Sequence, residues 1–136
     1  MRRIACLLIT AIVLSCCSGT AFSDWFIPSG EAVDNVYDFS FQMADSLSTY
    51  DFSFYTRVDG TWDSSIRLDA VWHSPDGGQF SETVYLRPES KNEGIQSYRS
   101  GVQPSVPGDW RLTVLVPDAP EGFLGLGLIC EGNGTR

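Results

Sequence analysis

The sequence predicts an all-β fold, an antiparallel β-sandwich of the immunoglobulin-like or jelly-roll kind that follows a signal peptide. Three observations carry this reading. Apolar and polar residues alternate with period two in six separate segments, and clusters rich in Gly, Pro, Asp and Ser punctuate them. No stretch of the body shows the apolar spacing of an amphipathic helix, so a sheet packed on a sheet is the architecture left.

The chain opens with Met1-Arg2-Arg3 and a compact apolar run from Ile4 to Leu14, the layout of a secretory signal. The run is shorter than the ~20 apolar residues a membrane-spanning helix needs, and Ser15, Ser18 and Thr20 follow it. It closes on Leu14-Ser15-Cys16-Cys17, where a bacterial lipoprotein signal places the cysteine that receives the lipid. Cys17, with Leu14 three residues before it, is the favoured acylation site, and Cys16 is the alternative. Acyl chains on that sulfur supply roughly 0.8 kcal/mol of membrane affinity per buried methylene. Cleavage after Ala21-Phe22-Ser23 would instead discard both cysteines. The domain organisation expected is therefore a lipoprotein-type signal peptide over 1–16, a lipidated tether over 17–35, a β-sandwich domain over 36–131 and a C-terminal tail over 132–136.

Within the tether, Trp25-Phe26-Ile27-Pro28 delivers an aromatic cluster to the domain edge. The first strand places Tyr37, Phe39 and Phe41 on one face, and the second repeats the device with Tyr50, Phe52 and Phe54. Asp59-Gly60-Thr61-Trp62-Asp63 turns the chain into a third strand carrying Ile66, Leu68, Ala70 and Trp72. A fourth carries Phe80, Val84 and Leu86. Between these two, Ser74-Pro75-Asp76-Gly77-Gly78 combines a proline that presets one turn dihedral with glycines that permit positive φ, the signature of a hairpin. Pro88 to Ser105 reads as a polar connection. The fifth strand presents Trp110, Leu112, Val114 and Val116, and the sixth presents Leu124, Leu126, Leu128 and Cys130. Gly125 and Gly127 leave its other face bare, which suggests that a backbone or a large aromatic packs closely there, with Trp62, Trp72 or Trp110 the candidates.

Composition narrows the function. Among 136 residues there are 17 Asp and Glu, nine Lys and Arg and one His, a net charge of −8. Without residues 1–16 seven basic residues face seventeen acidic ones and the net charge is −10. No basic stripe exists to track a phosphate backbone, so nucleic acid is excluded as a partner. His73 is the single histidine, which excludes a multi-histidine metal site; it reads as a turn-edge side chain. Asp59, Asp63 and Asp76 lie in turns but form no calcium-loop pattern, and no pair of carboxylates stands out as glycosidase machinery. No catalytic residue, metal or cofactor is assigned. Cys130, alone in the body, reads as a small buried hydrophobe. Asn133-Gly134-Thr135 fits a glycosylation acceptor. Trp25, Trp62 and Tyr98 fall near predicted loops or strand edges, and as exposed rings they would form a carbohydrate-stacking surface.

Several segments in fixed order, spanning roughly residues 24–131, resemble the gliding-motility lipoprotein family (GldH-like). They are Val36-Tyr37-Asp38-Phe39-Ser40-Phe41, Asp45 through Phe52 with Arg57 beyond, Ser74-Pro75-Asp76-Gly77-Gly78 and Glu82-Thr83-Val84-Tyr85-Leu86. Pro107-Gly108-Asp109-Trp110 and Gly122 through Leu128 complete the set. The sequence departs from the family at Gly60 to Ser65 and over Lys91 to Ser105. The resemblance implies a short exported lipoprotein with a compact β-rich domain, anchored in the bacterial cell envelope by its N-terminal lipid. Its expected partners are the envelope proteins of a motility or secretion machine, and the family supplies no catalytic residues. The alternative expectation is an exported carbohydrate-binding module with a glycan as its ligand.

Overall fold

The computed structural model describes residues 22–60, 64–87 and 94–133. Eight strands run in chain order: β1 (Phe22–Pro28), β2 (Val36–Met43), β3 (Tyr50–Val58), β4 (Ile66–His73), β5 (Gln79–Leu86), β6 (Gln96–Val102), β7 (Gly108–Leu115) and β8 (Phe123–Gly132), with one 3₁₀ turn at Ser29–Glu31. They form two antiparallel four-stranded sheets, ordered β1-β8-β3-β6 and β2-β7-β4-β5. Only β4 and β5 are consecutive neighbours in one sheet; every other described connection crosses between sheets. Of the two sandwiches expected, this interleaved order is the jelly roll.

Alternation builds the core. Tyr37, Phe39, Phe41 and Met43 point inward from β2, Phe52 and Phe54 from β3, Ile66, Leu68, Ala70 and Trp72 from β4, Leu112 and Val114 from β7, and Leu126 and Leu128 from β8. Their intervening residues stay outside, because a period-two pleat sends successive side chains to opposite faces. Cys130 is a free, buried member of the same core.

The structure departs from the sequence reading in four places. First, Phe22–Pro28 is an edge strand paired along its length with β8, from Phe22 opposite Glu131 to Pro28 opposite Gly125, so the sandwich begins well before Val36. Trp25 and Ile27 pack on the core, while the intervening Phe26 lies over the sheet's outer surface near Gly125. Three consecutive apolar residues therefore hide an ordinary alternation.

Second, the polar connection contains β6, whose pairing with β3 is irregular around Phe52. Third, Leu124 is not on the core face. Arg57 pairs with Gly125 and Val58 with Phe123, so Leu124 is the extra residue of a bulge and is 47% exposed. Fourth, among the described residues no tryptophan covers the glycines of β8: a Cβ on Gly127 would enter the Tyr55 ring, and one on Gly125 would meet Phe26 and the Ile27 carbonyl. Phe26 and Tyr55 stack with ring centroids 5.6 Å apart. The signal-peptide residues, Cys16, Cys17, Trp62 and Asp63 lie outside the described residues.

Strand directions sort the loops. Odd-numbered strands start, and even-numbered strands finish, at the end of the sandwich that carries the first residue of β1 and the last of β8. Segments 44–49, 74–78 and 103–107 also lie at this terminal end. Segments 29–35 and 116–122 lie at the far end.

Candidate functional site

The two sheets have unpaired edges at β5 and β6, and between these edges the sandwich is closed by side chains. Trp72 sits at the last inward position of β4 and pairs in register with Phe80 of β5. Its indole is edge-on to Phe41, Phe52 and Trp110, with centroids at 5.9, 5.1 and 6.3 Å. The Tyr98 ring of β6 lies nearly parallel to it at 6.0 Å.

A polar chain continues from that stack across the gap. Trp72 Nε1 donates to Tyr98 Oη at 2.9 Å, and Tyr98 Oη donates to Glu82 Oε2. Arg99 then grips the same carboxylate with two groups, Nε to Oε2 at 3.0 Å and Nη2 to Oε1 at 2.7 Å. Partial burial of Glu82 opposes its ionisation. The hydrogen bonds from Arg99 and Tyr98 and the guanidinium charge outweigh that penalty and hold the carboxyl below its ordinary range. Burial, followed by the carboxylate it donates to, pushes the Tyr98 phenol well above the usual range. The result is one ionised, internally neutralised pair that joins edge β5 to edge β6.

Over this network opens a cleft of about 250 Å³, walled by Met43, Trp72, Phe80, Arg99, Val102 and Trp110 and rimmed by Gln103 and Ser105. A smaller depression of about 190 Å³ continues it past Ser74 and Gln79. Phe80 is 53% exposed, and the Arg99 guanidinium lies 5.4 Å from its ring centroid. Trp110 fixes its own indole by donating Nε1 to the Val106 carbonyl at 2.8 Å. The cleft thus presents held aromatic faces beside a compensated ion pair, chemistry suited to an uncharged ligand with an apolar face. A separate, more polar depression of about 510 Å³ lies over Ser40, His73, Asp109 and Arg111. His73 itself contacts Thr113 Oγ1 at 3.2 Å and Gln79.

Of the residues nominated from the sequence, Trp25 and Tyr98 are not brought together. Tyr98 belongs to the network, with its hydroxyl already engaged on both sides. Trp25 is in β1, at the opposite edge of its sheet from β6, and packs on Phe41 at 6.0 Å. Trp62 lies outside the described residues. Sequence reasoning missed Glu82, Arg99 and Phe80 as a unit, although one signal was available. Glu82 is in phase with Phe80, Val84 and Leu86, so a carboxylate occupies an inward position of β5.

Among the described residues there is no group of three or more His, Cys, Asp or Glu side chains able to hold a metal. None of their helices is long and apolar enough to cross a membrane. No family model matches the chain, and no curated protein matches it. Among solved structures it is similar to the crystal structure of the infectious bursal disease virus VP2 subviral particle. The identity is 11% over 82% of this chain and 32% of that chain, with a TM-score of 0.36. The chain spans about a third of that structure's length, and a likeness this slight bears neither on function nor on ancestry.

Proposed function

We propose that this protein is a noncatalytic envelope lipoprotein, anchored through acylated Cys17, whose jelly roll supports the protein assembly of a gliding-motility or secretion-associated machine. The observation that carries the reading is the leader, in which a basic start and an apolar run end on Leu14-Ser15-Cys16-Cys17. Only four residues then separate Cys17 from β1. The segments that resemble the gliding-motility lipoproteins support it further. Fatty-acid labelling in cells tests the anchor: label is expected on the wild type and on Cys16→Ala and lost on Cys17→Ala, and an unlabelled wild type refutes it. In-cell crosslinking of the tagged full-length protein tests the assembly role, with a reproducible set of envelope proteins as the expected outcome.

The cleft favours a second reading, an exported carbohydrate-binding module. Held ring faces of Trp72, Phe80 and Trp110 beside a neutralised ion pair suit stacking on a sugar ring. Titration with envelope polysaccharides should then change tryptophan fluorescence in the wild type and not in folded Phe80→Ala. An unchanged spectrum in the wild type would remove this reading.

A further inference from the structure

We infer that the terminal end of the sandwich is the face turned to the bilayer, and that its lipid partner is a zwitterionic surface. The inference rests on the acylation of Cys17 proposed above. Five peptide steps join Cys17 to Phe22, and a fully extended chain gains at most 3.3–3.6 Å per residue, so the anchor lies within about 17 Å of the first residue of β1.

The sandwich is longer than that leash. Eight-residue strands such as β2 and β4 span about 23 Å over their seven steps. The far end therefore cannot be brought to the membrane while the β1 terminus stays within reach of its anchor, unless the whole domain lies flat. Flat contact would bring both ends equally near the lipid and would make energy transfer from the two ends equal.

What the terminal end presents fits an approach to a neutral surface. Leu47 is 72% exposed, on a turn held by its own amide donating to Asp45 Oδ1 at 2.9 Å and by Ser48 Oγ donating to Asp45 Oδ2 at 2.9 Å. Asp45, Asp51, Asp76, Asp109 and Glu131 lie at this end, with Arg99 and Arg111 further in. An anionic leaflet would repel that excess of carboxylates, whereas a zwitterionic one does not. The aromatic cleft opens at the same end, and the far end is left free for protein partners.

The test uses the full-length acylated protein on phosphatidylcholine vesicles that carry an acceptor dye on a fraction of the headgroups. A donor dye is placed at Leu47→Cys or, in a second preparation, at Asp118→Cys in the far-end segment 116–122; buried Cys130 stays unlabelled. Energy transfer is expected to be severalfold stronger from position 47 than from position 118. Equal or inverted transfer from vesicle-bound protein overturns the orientation and leaves the anchor standing. Protein that carries no acyl chain and does not bind the vesicles overturns both.

Discussion

Glu82 shows how one side chain is worth more to the sandwich than its polarity suggests. Its carboxylate accepts from Tyr98 and twice from Arg99, and the largely buried Tyr98 hydroxyl is left with a poorly solvated donor if the acceptor changes. Glu82→Gln keeps the shape and loses the charge, and should cost about 1–2 kcal/mol in urea denaturation at neutral pH. The pH dependence has a definite sign. Because the folded carboxyl titrates below its ordinary 4.5, its contribution is complete above that value and is lost as pH falls through the lower folded value. Glu82→Gln should therefore flatten the acid limb of stability against pH.

Cys130 behaves oppositely. Burial pushes its thiol from the ordinary 9.0 up to about 12, so stability is complete below pH 9.0 and declines as pH rises toward 12. Cys130→Ala should remove the part of the alkaline loss that begins near pH 9.0, while the raised Tyr98 and Tyr37 phenols keep the part that begins near their ordinary 10.0. Equilibrium unfolding from pH 7 to 11 on both proteins checks this.

At the scale of the element, the strands that alternate most cleanly in the sequence have one wet face and one buried face. β2, β3, β4 and β7 alternate cleanly, because every second residue meets the opposite sheet. β1 and β6 were hidden for different reasons. In β1 the outward position holds Phe26, since the bare surface of β8 gives it an apolar seat, so the polar half of the pattern is missing. In β6 the apolar half is missing. It is an edge strand, its inward side is finished by the Tyr98 network, and Gly101 takes φ 65° next to its last residue.

The glycines of β8 announced a close approach without naming its source, because the described rings that lie there come from neighbouring strands β1 and β3. Gly125 carries the stricter demand of the pair. Its φ of 156° is unusual for a residue with a side chain, and a Cβ there would sit 2.5 Å from the Ile27 carbonyl oxygen. Gly125→Ala should destabilise by about 1–3 kcal/mol. Gly30→Ala, with open space at its Cβ, should stay within about 0.5 kcal/mol. Thermal or urea midpoints of the two variants decide the point.

For the whole molecule, topology sets the order of assembly. Seven connections join the eight strands, and six of them carry the chain from one sheet to the other, so almost all pairing waits for distant segments to meet. Closing such loops before their contacts form is entropically costly, which places a jelly roll among slow folders, on the millisecond-to-second scale. The exception is β4–β5, joined by Ser74 to Gly78. There the Ser74 amide donates to the Gly78 carbonyl at 2.9 Å, and Gly77 takes φ 92°. This hairpin needs no distant partner to pair, and it already carries Trp72, Phe80 and Glu82, onto which β6 later closes. It should be formed in the folding transition state, whereas the β1–β8 pairing, which joins the two extremes of the domain, should not. Gly77→Ala strains the turn and should slow refolding with little change in the unfolding rate. Ile27→Ala, in β1, should chiefly speed unfolding. Stopped-flow chevrons of both variants provide the measurement, and a Gly77→Ala effect confined to the unfolding limb would place the nucleus elsewhere.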